Sequence, residues 1–189
     1  MTTNSGGLRV VVTGGAGFIG SHLVERLLRE GHRVRVLDNP ATGREANLAH
    51  LRHHAGLEWE RVDINEEARL SGLLADAQWV FHLAGLADIV PSIADPRAYH
   101  WVNVNGTVAM LEAARAAGAS RFIYAASSSC YGLPCQLPTP ETAPAQRHHS
   151  LTSRARTRPG RRVRPKPPQI AFSRGAYVQR QARRRGFSE

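Results

Sequence analysis

LRVVVTGGAGFIG, residues 8–20, decides the fold of this 189-residue chain. Residues 8–13 are a short apolar run rich in valine that ends at glycines, the pattern of a strand buried on both faces. Residues 18–30 then place Ile19, Leu23, Leu27 and Leu28 on one helical face, and Gly31 follows as a stop. Between strand and helix lies the spacing G-x-x-G-x-x-G. Gly14 permits the tight turn, Gly17 lets the backbone approach a pyrophosphate, and Gly20 lets the helix pack close to the sheet. Backbone amides at the helix start face the phosphates. Outside such a setting the same glycines would be an ordinary loop; between a strand and a helix they predict a dinucleotide site.

Working outward, residues 33–37 (RVRVL) form a second strand, and Asp38 follows it. An acid there can accept the adenosine ribose hydroxyls, although beside Asn39 and Pro40 it could also be a plain turn residue. Asp38 would repel a 2′-phosphate and so favours NAD over NADP, while Arg35 and Arg44 nearby pull the other way. Further strands are predicted at 57–62, 78–83 and 121–125. Helices are predicted at 43–53, 66–74 and 96–117, the last long and amphipathic and closed by Gly118. Strands separated by single helices give right-handed crossovers. The predicted fold is therefore α/β, a Rossmann-like doubly wound parallel sheet. Ligands of such sheets bind at the carboxyl ends of the strands. That places Asp63 and Ile64 after strand three, Leu83, Ala84 and Gly85 after strand four, and Ser127-Ser128-Ser129 after strand five.

The formal charge of +10 invites a polyanion partner, but its location argues otherwise. Residues 1–145 hold 12 arginines against 14 acids, a net of −2; residues 146–189 carry +12. The chain divides into a near-neutral body, 1–145, and an arginine-rich tail, 146–189. The two cysteines, Cys130 and Cys135, suit neither a disulfide framework nor a four-ligand zinc site, so no metal is expected. No apolar run reaches the length of a membrane span and the start lacks the marks of a signal peptide, so a cytoplasmic protein without a membrane partner is expected.

In order and spacing, VTGGAGFIGSHLVERLL, VLDN, VDI, FHLAGLADIVPS, NVNGT and YAASSSCYG resemble the extended short-chain dehydrogenase/reductase family, in its NAD-dependent epimerase/dehydratase branch. The resemblance covers roughly residues 8–145. It implies NAD as cofactor and a nucleotide sugar as substrate. Phe18 and Ile19 would lie against the cofactor, Asp38 and Asn39 would hold the adenosine ribose, and Asp63 and Ile64 would contact adenine. Leu83 to Ala87 would line the nicotinamide half, with Leu83, Ala84 and Gly85 at its centre. Asn103 would tie the long helix to the sheet. Ser127, four residues before Tyr131, would be the catalytic Ser/Thr that hydrogen-bonds the sugar C4 oxygen; Ala126 replaces the usual serine beside it. The serine run favours epimerases, because dehydratases typically carry Asp-Glu after the catalytic threonine. The family is homodimeric, an association doubtful for this chain.

The family's tyrosinate removes the C4 hydroxyl proton as NAD+ takes the hydride, and a lysine one helical turn later lowers the tyrosine pKa. That tyrosine would fall near residue 151, where the chain reads HHSLTS. The single lysine, Lys166, sits among prolines, and Tyr177 is followed four residues later by Gln181. His148 and His149 are the nearest substitute bases. As written, the chain is expected to be an inactive epimerase/dehydratase, incomplete on its C-terminal side, or a non-catalytic NAD-binding module. Polyanion binding through the tail is the third reading. The tail itself is a basic arm, a solvated extension, or a frameshifted reading of the family's continuation. The frameshift fits best: codons for RARTRPGRRVRPK can be chosen so that a one-nucleotide shift reads AHELGQADEYVL, and 24 arginines to one lysine suit a G+C-rich gene.

Overall fold

The computed structural model describes residues 6–126, 136, 138–140 and 142–143. Five parallel strands, β1 (Arg9–Thr13), β2 (Arg33–Asp38), β3 (Leu57–Arg61), β4 (Trp79–His82) and β5 (Arg121–Tyr124), form one sheet in the order β3-β2-β1-β4-β5. The chain steps outward from β1 to β3, then returns to the other side of β1 for β4. The reversal leaves a crevice at the carboxyl ends of β1 and β4, the switch point of a doubly wound sheet. Register puts Thr13 beside Leu37 on one side and His82 on the other. The predicted Rossmann-like architecture is the one observed.

Pleating divides the core into two layers. Val10 and Val12 of β1 face Val24, Leu27 and Leu28 of α1 (Phe18–Arg29), with Val34, Val36 and Leu48. Val11 faces the opposite way, with Leu70 and Leu74 of α2 (Glu67–Leu74), Met110 and Ala114 of α5 (Thr107–Ala116), and Phe122. The α1 stripe is rotated from the expected one. Gly20, Val24, Leu27 and Leu28 are buried while Ile19 is exposed. Glycine decides this: a Cβ at Gly20 would come 2.1 Å from the Gly14 carbonyl oxygen, so only a bare backbone can face the loop there.

Three further differences concern helices. The segment expected as a helix at 43–53 closes only a 3-10 helix, Glu45–Leu51, with Leu48 as its one buried residue. Its polar groups serve the glycine loop instead, since Arg44 N and Asn47 Nδ2 both donate to the Ala16 carbonyl, at 3.0 and 2.7 Å. The long helix at 96–117 is three pieces: α4 (Pro96–His100), a π-helical segment (Trp101–Gly106) and α5. A short helix, α3 (Ile89–Ala94), precedes them and buries no residue, so no apolar stripe announced it. Among the described residues no helix is long and apolar enough to cross a membrane.

Candidate functional site

The crevice at the switch point opens into a cleft that runs between the glycine loop, the ends of β2 and β3, and the loop after β4. One wall is the glycine loop. Gly14 has φ +68°, a left-handed conformation that favours glycine, and its amide donates to the Leu37 carbonyl at 2.9 Å. A Cβ on Gly14 would stand 2.7 Å from the Ala84 amide nitrogen, so the bare turn is what lets β1 and β4 meet. Gly17 caps α1 and borders the cleft, and a Cβ there would meet only the Gly14 carbonyl oxygen, at 3.2 Å. The first amides of α1 have no preceding turn to bond, and no acid sits in its first turn. An anion there finds donors and no acid in the helix's own first turn.

Asp38 stands at the end of β2 on the cleft wall and is 8% exposed. Its Oδ2 accepts the Ala16 amide at 2.8 Å. Burial pushes its pKa up, opposed by the hydrogen bonds from the Ala16 and Asn39 amides. Beside it, Asn39 Nδ2 donates to Asp63 Oδ2 at 2.8 Å, joining the ends of β2 and β3. Asp63 Oδ1 accepts both the amide and the side chain of Asn65. Asn39 is thus a brace between strand ends. Arg35 is turned to other work: its guanidinium holds Glu58, Asp76 and the Leu73 carbonyl, and it does not line the cleft. Arg44 is exposed on the glycine-loop side.

Leu83, Ala84 and Gly85 form the opposite wall with Leu86 and Val102. Asn103 clamps this wall, accepting the Leu86 amide on Oδ1 and donating from Nδ2 to the Leu86 carbonyl, both at 2.8 Å. The expected tie from Asn103 therefore goes to the loop after β4. The π-helical widening and Gly106 let this helix pass Ile64, whose Cδ1 would be 2.5 Å from a Cβ on Gly106.

Of the residues singled out in the sequence, Gly14, Gly17, Asp38, Asn39, Asp63, Ile64, Leu83, Ala84 and Gly85 come together on the cleft. Gly20 lies behind it as a packing residue. Phe18 and Ile19 are 79% and 42% exposed and do not line it. Ser127 lies outside the described residues, as do Tyr131 and the segment 144–189. Leu86, within the expected 83–87 stretch, lines the cleft as well; Leu37, Ala41, Thr42, Gly43, Val62 and Val102 also line it, and sequence reading did not single them out for it. Gly43 could have been noticed as an isolated glycine ahead of a helical pattern; the apolar ones carry no signal that separates them from core. Among the described residues no cluster of three or more His, Cys, Asp or Glu could hold a metal.

The family model for the NAD dependent epimerase/dehydratase family matches residues 10–155, ten residues past the expected limit of the resemblance. The chain belongs to that family. As such an epimerase/dehydratase-family chain it is 44% identical over 140 residues to a UDP-glucose 4-epimerase of Mycolicibacterium smegmatis, covering 72% of this chain and 44% of that protein. It is 43% identical over 136 residues to UDP-glucuronic acid decarboxylase 2 of Arabidopsis thaliana, covering 72% of this chain and 29% of that one. Among solved structures it superposes on a UDP-glucose-4-epimerase from Stenotrophomonas maltophila with bound NAD and formylated UDP-arabinopyranose. The TM-score is 0.69 at 28% identity, over 78% of this chain and 45% of that one. The chain thus spans less than half the length of these relatives. Identity is near-equal to a UDP-glucose 4-epimerase and to a UDP-glucuronic acid decarboxylase.

Proposed function

We propose that this chain is an NAD-holding half of a nucleotide-sugar epimerase/dehydratase, descended from enzymes that transiently oxidise C4 of a UDP- or dTDP-sugar. The observation that carries the reading is the cleft itself. A buried acid ends β2, an acid-free helix start faces it, and bare glycines leave room that side chains would fill. In this proposal the α1 amides hold the pyrophosphate and Asp38 accepts the adenosine ribose hydroxyls. Asp63 and Ile64 border the adenine, Leu83 to Gly85 border the nicotinamide, and Phe18 and Ile19 close over the phosphates from their exposed positions. Bound NAD would supply the hydride acceptor. Ser127 would bond the sugar C4 oxygen.

In this proposal the body 1–145 supplies the cleft, while the tail 146–189, with Lys166 among prolines and Tyr177 followed four residues later by Gln181, holds no Tyr-x-x-x-Lys pair to remove and steer the C4 proton. The chain as written is therefore proposed to bind NAD without turning over. Titration calorimetry with NAD and NADP tests it: NAD should bind at least about tenfold tighter, because a 2′-phosphate would sit against a buried carboxylate. Asp38→Asn, which keeps the bond from Ala16 and removes the charge, should bring the two affinities together. Incubation with UDP-sugars should give neither reduced-nicotinamide absorbance nor epimerised product on chromatography. Equal binding of NAD and NADP by the unaltered chain, or no binding at all, would sink the reading.

A further inference from the structure

His82 ends β4 in the core, 1% exposed, between the rings of Phe122 and Tyr124 of β5, Thr13 of β1 and Thr107 of α5. Thr13 Oγ1 lies 2.8 Å from its Nδ1, and Thr107 Oγ1 lies 3.0 Å from its Nε2. The surrounding donors fix where every proton in this chain sits. Thr13 Oγ1 already accepts the Ala84 amide and a share of the Leu83 amide, each at 3.2 Å, the Leu83 amide donating to the Thr13 carbonyl as well. Its lone pairs are used, so its own hydrogen points to His82 Nδ1, which must be the bare nitrogen. The ring proton is then on Nε2 and goes to Thr107 Oγ1, whose hydroxyl passes on to the Asn103 carbonyl at 2.8 Å. The reverse tautomer is the poorer one at both ends. It would crowd three donors onto Thr13 Oγ1 and ask one Thr107 hydrogen to serve both Nε2 and the Asn103 carbonyl.

We propose that His82 is a positioning residue of the cleft: as the neutral Nε2–H tautomer it sets a one-way hydrogen-bond chain, Ala84 to Thr13 to His82 to Thr107 to Asn103. The chain locks the ends of β1 and β4 to the π-helical segment. Its two ends are walls of the cleft. Thr13 precedes Gly14, whose Cα faces Ala84, and the Asn103 side chain holds Leu86. Burial alone pushes the His82 pKa down, to about 4, which keeps the ring in the neutral form that the chain requires. The consequence for cofactor affinity rests on the NAD reading above; the direction of the chain does not.

The test uses the full chain labelled with ¹⁵N-histidine at neutral pH, with His82→Phe and His82→Asn alongside. Long-range ¹H–¹⁵N correlation should show His82 with Nε2 protonated and Nδ1 bare; a protonated Nδ1 in the unaltered protein overturns the proposal whatever the variants do. The Ala84 amide should exchange about tenfold faster in His82→Phe, which keeps the ring packing and loses the acceptor for Thr13, a loss on the scale of one hydrogen bond. His82→Asn, whose amide oxygen takes the place of Nδ1, should restore slow exchange. Equal Ala84 exchange in His82→Phe and the unaltered chain also overturns it. NAD affinity should follow the exchange rates. If the unaltered chain binds no NAD, the cofactor reading falls, and tautomer and exchange still decide the role of His82.

Discussion

At Asp38 and His82 the same physical effect, burial of an ionisable side chain, has opposite consequences. Asp38 keeps amide donors and a cleft in front of it, and its pKa is raised mainly by lost water. His82 lies behind the cleft wall, where the described residues around its ring offer hydroxyls and aromatic faces, and burial holds it near 4 against an ordinary 6.5. A histidine whose pKa is lower folded than unfolded binds fewer protons in the native state between those values, so its contribution is complete above pH 6.5 and drains away as pH falls toward 4. The loss should approach roughly 3 kcal/mol, from about 1.4 kcal/mol per pKa unit. Urea unfolding of the unaltered chain should show this decline; in His82→Phe the part of the slope between pH 6.5 and 4 should be absent, and identical slopes would refute it. Asp38 was legible in the sequence because its signal is local, an acid one residue past a β-branched run. His82 carries no such signal, since its partners lie 69 and 25 residues away and no local pattern reports them.

Among the elements, the strand–glycine loop–helix unit divides its labour between glycines that look alike in sequence. Gly20 is needed by the fold: its Cβ would meet the Gly14 carbonyl oxygen at 2.1 Å and the Gly15 Cα at 2.7 Å, both backbone atoms that cannot swing aside. Gly17 borders the cleft, and among the described residues a Cβ there would meet the Gly14 carbonyl oxygen at 3.2 Å. Gly20→Ala should therefore lower stability by about 2 kcal/mol or more, the range for overpacking a close contact, and show as a fall in Tm. Gly17→Ala should keep Tm within a few degrees and weaken NAD binding at least about tenfold, by placing a methyl where the phosphates approach. The reverse ranking, measured by calorimetry for both variants, would count against the assignment. The π-helical segment is the element that sequence reading could not reach. Its periodicity reads as one uninterrupted helix. Only with Leu86 in place does the side chain of Asn103 have a backbone to clamp, while Thr107 bonds the Asn103 carbonyl one turn back.

The molecule as a whole has one sheet covered on both faces and a set of large apolar side chains left outside it. Ile89, Val90 and Ile93 of α3 are each about three-quarters exposed, and Trp101 and Val108 are about half exposed. Surfaces of this kind promote association. The purified chain should bind ANS and self-associate as concentration rises. Ile89→Ser with Ile93→Ser should reduce both while leaving Tm unchanged, since neither residue is buried; a monomeric chain that leaves ANS dark would contradict this. Sequence alone determined the strand order class, the glycine loop, the acid at β2 and the split between a near-neutral body and a basic tail, because each is written in contiguous residues through periodicity, turn chemistry or charge. Only the tertiary structure decided that Arg35 is spent on Glu58 and Asp76, that Asn39 braces Asp63, that the long helix opens into a π-helical segment, and that His82 joins two walls of the cleft through a hydrogen-bond chain of fixed direction. Those outcomes depend on which groups meet across the sheet, and a hydrogen bond between residues far apart in sequence leaves no period or spacing behind to be read.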